Sequence, residues 1–95
     1  MNETNTKYYK TYRGIYKLTK TEFEIFTVDL CYHISSDIIK EYDKEIVLEY
    51  LNTIKAKEIS KEEYNSLFDT LNYLREKQYS LYQNIKEFIN NSLNG

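Results

Sequence analysis

Asp29, His33 and Asp37 are the residues whose types and spacing come nearest to a chemical site. They recur every fourth residue, so on a helix they would line one face. Two such side chains and a carboxylate from elsewhere could bind a divalent cation. The solvated face of an acidic helix gives the same spacing by chance, and we therefore predict neither a metal site nor a cofactor.

Cys31 is the other candidate, because a thiol held against an imidazole can act as a nucleophile. On a helix, however, Cys31 and His33 point in different directions, since residues two apart do not share a face. The sequence also contains no CxxC, HExxH, EF-hand or glycine-rich phosphate-loop motif. We predict no catalytic residue and expect a protein that is not an enzyme.

The segment 1–18 is basic and rich in tyrosine. Positions 7 to 20 have five basic residues and no acidic one, whereas residues 21–63 have eleven acidic and five basic residues. The segment could contact phosphates and stack on bases, or it could dock on the acidic body of its own chain. The predicted contact residues for nucleic acid or a protein partner are Lys7, Tyr9, Lys10, Tyr12, Arg13 and Lys17.

The secondary structure of residues 7–17 is ambiguous. As a helix the segment has tyrosines on one face and basic residues on the other, but a strand also aligns several of its tyrosines, and tyrosine favours strands. We favour a short helix, with the strand as the alternative.

The rest of the chain lacks the residues that usually make turns. There is no proline, and the only glycines are Gly14 and Gly95. Hairpins normally need such residues. The sequence therefore predicts an all-α fold: one domain, 1–95, in which residues 19–95 form a small antiparallel bundle of three to four helices with a long C-terminal helix.

Three start signals divide this bundle. Thr19 and Glu22 have the spacing of a capping box, and apolar residues follow at steps of three and four, which predicts a helix over about 20–42. Asp43 is a candidate N-cap for a second helix. Ser60 and Glu63 form another capping box, which opens the long helix.

The long helix carries apolar residues at heptad spacing from position 64 to position 88. At 1.5 Å per residue it would span about 45 Å, further than the shorter predicted helices could cover. Part of its apolar seam would then lie open to another chain, as in a homodimer. The predicted dimer seam consists of Gln78, Leu81, Tyr82, Ile85 and Phe88.

Composition limits the function further. A single cysteine permits no internal disulfide, residues 1–7 do not resemble a signal peptide, and no apolar run is long enough to cross a bilayer. We expect a cytoplasmic protein with no membrane partner. The predicted function is a small non-catalytic protein-binding regulator or inhibitor, of the type found in mobile elements, acting on a larger protein. The alternative is a dimeric helical DNA- or RNA-binding regulator that contacts phosphates through the basic segment.

Overall fold

A computed structural model describes residues 6–94, with side chains up to residue 92; residues 1–5 of the basic segment lie outside this range. In it the chain forms a five-stranded antiparallel sheet and two helices, so the all-α bundle prediction is wrong. The elements, in chain order, are β1 (Lys7–Thr11), β2 (Gly14–Leu18), β3 (Glu22–Val28), β4 (Ile34–Lys40), α1 (Lys44–Thr53), β5 (Lys57–Ile59) and α2 (Lys61–Asn94).

The first four strands form a meander, and the full strand order is β4-β3-β2-β1-β5. Every neighbouring pair is antiparallel. Tyr9 pairs with Tyr16, and Tyr16 pairs in turn with Ile25, so these three residues share one face of the sheet. Residues 7–17 are therefore two strands and a turn, and the favoured helix is wrong for this segment.

The turns of this sheet form with few of the usual turn residues. Tyr32, Glu41 and Lys55 adopt positive φ angles of 60°, 55° and 57°, a region that glycine or asparagine more commonly occupies. The absence of glycine and proline was therefore a misleading argument against a sheet. The capping-box pattern at Thr19 was misleading as well. The Thr19 hydroxyl accepts a hydrogen bond from the Glu22 N–H at 2.9 Å, as in a capping box, but this bond lies in the β2–β3 turn and not at the start of a helix.

The predicted helix over 20–42 is instead the β3–β4 hairpin. The apolar residues of β3 lack the alternation typical of a half-exposed strand because this strand is covered on both faces. Phe23 packs in the cluster beneath α1, whereas Phe26 packs beneath α2. Leu30, one of the apolar residues at helical spacing in the predicted helix, lies exposed in the β3–β4 loop.

The two helices lie on opposite faces of the sheet. One core cluster joins Val47 and Leu51 of α1 to Tyr16, Leu18 and Phe23. The other cluster joins Tyr64 of α2 to strand residues on the opposite face, namely Ile15, Phe26 and Ile34. The sheet is thus the middle layer of three.

The start signals of both helices are confirmed. The Asp43 carboxylate accepts hydrogen bonds from the N–H groups of Glu45 and Ile46, and the Ser60 hydroxyl accepts from the Glu63 N–H at 3.1 Å. Helix α2 has 34 residues, so the long C-terminal helix is confirmed as well. Among the described residues no helix combines the length and apolarity needed to cross a membrane.

Candidate interaction surface

Helix α2 carries one apolar stripe, and the sheet covers only its first half. Tyr64, Leu67 and Leu71 pack against the sheet. The stripe continues at the same helical spacing beyond Gln78, where the helix extends past the sheet. We call this continuation the distal stripe; it consists of Leu81, Tyr82, Ile85, Phe88 and Ile89.

The side chains of the distal stripe are exposed along its whole length. Phe88 is 72% exposed and Tyr82 is 62% exposed, while Leu81, Ile85 and Ile89 are each exposed by half or more. A buried aromatic side chain covers about 150–250 Å², so the five residues together present on the order of 500 Å² of apolar surface. A patch of this size lies near the upper end for a monomer and is typical of interaction sites.

Gln78 marks the boundary between the covered and the exposed parts of the stripe. Its side-chain oxygen accepts a hydrogen bond from the Ile34 N–H at 3.0 Å, and its amide group donates to the Tyr32 carbonyl. The oxygen and the nitrogen of the Gln78 side chain thus both form hydrogen bonds with the backbone at the start of β4 and in the loop just before it. The polar residue in the predicted dimer seam therefore attaches α2 to its own sheet.

Arg75 strengthens the same attachment one turn earlier. Its guanidinium lies 5.2 Å from the centroid of the Phe26 ring, and it donates to the Ser36 hydroxyl at 2.7 Å. It also donates to the Asn72 side chain at 3.1 Å. The contacts of Arg75 with Phe26 and Ser36, together with those of Gln78, hold α2 on the sheet up to residue 78 and leave the later turns without such support.

The distal stripe has few charges around it. Between residues 78 and 92 the only charged side chains are Lys86 and Glu87, which carry opposite charges. Both fall off the stripe by helical spacing, and asparagine and glutamine provide most of the remaining flank. An apolar helix can therefore approach the stripe without desolvating a charge.

A groove lies beside the start of the distal stripe. Its volume is about 630 Å³, and it opens between the β3–β4 loop and α2. Its lining is mostly apolar or aromatic and comprises Cys31, His33, Ile34, Arg75, Gln78, Tyr79 and Tyr82. The apolar surface thus continues from the distal stripe onto the end of the sheet.

The residues considered as a chemical site instead form hydrogen bonds that stabilise the β3–β4 loop and the strand that follows it. One oxygen of Asp29 accepts from the Cys31 N–H at 2.8 Å and from the His33 N–H at 2.9 Å, and the other lies 4.0 Å from the His33 imidazole. The backbone hydrogen bond from His33 lowers the pKa of Asp29 most, followed by that from Cys31 and by the charge of His33. Asp37 bonds instead to the N–H of Ile38 in β4. Within residues 6–94, no three His, Cys, Asp or Glu side chains are grouped as a metal site would require.

The basic segment places its lysines beside carboxylates of its own chain. Lys7 lies 3.5 Å from Glu58, Lys10 lies 2.5 Å from Glu63, and Lys17 lies 3.6 Å from Glu24.

The remaining predicted contact residues of this segment do not share one surface. Tyr9 packs against the core cluster beneath α1, and burial, followed by the charge of Glu58, raises its pKa. Tyr12 and Arg13 occupy the exposed β1–β2 turn, with the guanidinium 5.2 Å from the tyrosine ring centroid. Lys10 lies on the opposite face of β1 from Tyr9 because neighbouring strand residues alternate.

The dimer-seam prediction named four of the five residues of the distal stripe. Ile89 was omitted although it follows Tyr82 and Ile85 at helical spacing, so the sequence carried the signal. The groove beside Tyr79 could not be found in the same way, because it depends on the β3–β4 hairpin. Comparison of the chain with protein-family models, curated proteins and solved structures found no match.

Proposed function

We propose that this protein is a non-catalytic protein-interaction module that binds its protein partner through the distal stripe of α2. The observation that carries the proposal is the continuous stripe of exposed apolar residues on a helix that its own sheet anchors only up to Gln78. Apolar, nearly uncharged helical faces of this kind bind other helices or hydrophobic grooves. Tyr82 and Phe88 are the aromatic side chains expected to contribute most to the binding energy.

The ion pairs of the basic segment favour protein over nucleic acid as the partner. Three of its four basic residues already lie beside carboxylates, which lowers the positive charge available to phosphates. Within residues 6–92, no other part of the chain covers the distal stripe in a comparable way. We therefore place the binding function on the helix.

Affinity capture tests this function. The tagged protein is used as bait in a lysate of its native cells, with and without nuclease, beside a variant carrying Ile85→Ser and Phe88→Ser. Tyr73→Ser is the matched control, because Tyr73 is an exposed tyrosine of α2 outside the stripe. We expect a stoichiometric protein that survives nuclease, binds the wild type and the control, and is lost from the double variant.

Two results would contradict the proposal. One is a captured set that is the same for the double variant and the wild type. The other is capture of nucleic acid alone, with every protein lost after nuclease treatment.

A further inference from the structure

The position of the sheet restricts how a helix can lie on the distal stripe. The first half of the same stripe is already covered by the sheet through Tyr64, Leu67 and Leu71. A long helix on the distal stripe can therefore extend only towards and beyond the C-terminal end of α2. Any extension in the other direction would enter the space that the sheet occupies.

A second copy of this chain meets that restriction only when its α2 runs antiparallel. In a parallel pair, the first half of each helix would overlap the sheet of the other copy. In an antiparallel pair centred on Ile85, residue 92 of one copy lies opposite Gln78 of the other. Each sheet then lies at the C-terminal end of the opposite helix, where the groove beside Gln78 leaves space for that end, so the sheet of one copy does not overlap the helix of the other.

The apolar area and the charges also fit a second copy. Two distal stripes of on the order of 500 Å² each would bury about 1,000 Å² together, which is where specific interfaces begin. The groove beside the β3–β4 loop would receive the last turns of the opposite helix and add to this area. Lys86 and Glu87, the only charges between residues 78 and 92, lie off the stripe, so the contact brings no like charges together.

We infer that the protein forms an antiparallel homodimer through the distal stripes of α2, centred on Ile85, with the last turns of each helix entering the groove of the other copy. This inference rests on the proposed function and names its partner. The two-fold symmetry makes the contact self-complementary, so Leu81 and Tyr82 of one copy lie opposite Ile89 and Phe88 of the other.

Light scattering and a distance measurement on the full chain test this inference. The chain mass is 11.5 kDa, so a dimer has twice that mass, and we expect it at about 100 µM protein. A double variant carrying Ile85→Ser and Phe88→Ser should be a monomer whose urea-unfolding midpoint, measured at low protein concentration, matches that of the wild type, because both side chains are exposed. Tyr73→Ser should remain a dimer.

The relative orientation of the two α2 helices is measured as the distance between spin labels, one on each copy, attached at Asp69→Cys in a Cys31→Ser background. Residue 69 is 16 positions from Ile85, so at 1.5 Å per residue an antiparallel pair separates the two labels by about 50 Å. A much shorter distance would show parallel helices and overturn the inferred arrangement. A dimer that survives the double substitution would overturn the inferred surface.

The inference and the proposed function fail in different ways. A monomeric wild type that still captures a different protein through Ile85 and Phe88 overturns the homodimer and leaves the proposed function intact. A monomeric wild type whose captured proteins do not depend on these residues overturns both.

Discussion

Two tyrosines of the same apolar stripe should respond very differently to replacement by alanine. Tyr64 is 5% exposed and packs on Tyr8, with the ring centroids 4.9 Å apart, whereas Tyr82 is 62% exposed. Tyr64→Ala removes on the order of 150 Å² of buried surface, worth about 4 kcal/mol at 25 cal/mol per Å². Because the unfolded chain already buries part of this area, we expect a loss of about 3 kcal/mol in the free energy of unfolding.

Tyr82→Ala should change the same free energy by less than about 0.5 kcal/mol, since the ring leaves no cavity. Urea unfolding followed by circular dichroism measures both values, at a protein concentration low enough to keep any dimer dissociated. Tyr64→Phe keeps the ring and separates its packing from its hydroxyl; it should stay close to the wild type. Equal losses for Tyr64→Ala and Tyr82→Ala would refute the division of α2 into a covered and an exposed half.

Three further predictions concern the parts that hold α2 and the sheet in place. Gln78→Leu should lower the free energy of unfolding by about 1–2 kcal/mol, because the Ile34 N–H loses its acceptor; a neutral result by urea unfolding would contradict the attachment. Gly14→Ala should cost about 1–3 kcal/mol, because a Cβ there would lie 2.4 Å from the carbonyl oxygen of Phe26, and an unchanged melting temperature would contradict this close approach. The pKa of Asp29 is lowered, so its contribution to stability is present above the ordinary aspartate pKa and is lost as the pH falls through the lowered value. Asp29→Asn should remove that part of the acid sensitivity, and NMR titration should find the Asp29 pKa below that of an ordinary aspartate.

Local start signals were predictable from the sequence, whereas the fold class was not. Asp43 and Ser60 cap helices because their side chains bond to backbone N–H groups within three residues, and this depends on sequence alone. The Thr19 hydroxyl makes the same kind of bond inside a strand turn. A capping-box pattern therefore predicts the hydrogen bond but not the element that follows it.

The sheet was missed because β3 is covered on both faces and because several loops use residues that are uncommon in turns. Phe23 and Phe26 are both buried, yet they belong to different core clusters, so a helix-like spacing arose from two separate surfaces. Tyr32 and Lys55 take positive φ values that no sequence rule assigns to tyrosine or lysine. The apolar stripe of α2 was predictable because its period reflects one continuous helix, but its division at Gln78 depends on where the sheet ends.

Backbone hydrogen exchange along α2, measured by mass spectrometry over a range of protein concentrations, tests the central claim most directly. Residues 64–78 should be protected at every concentration because the sheet covers them. Residues 81–92 have no such cover, and a short unsupported helical segment opens readily, so their protection should rise with protein concentration as another chain binds the distal stripe. Protection of residues 81–92 that is the same at all concentrations would contradict the claim that this half of the helix is an interaction surface.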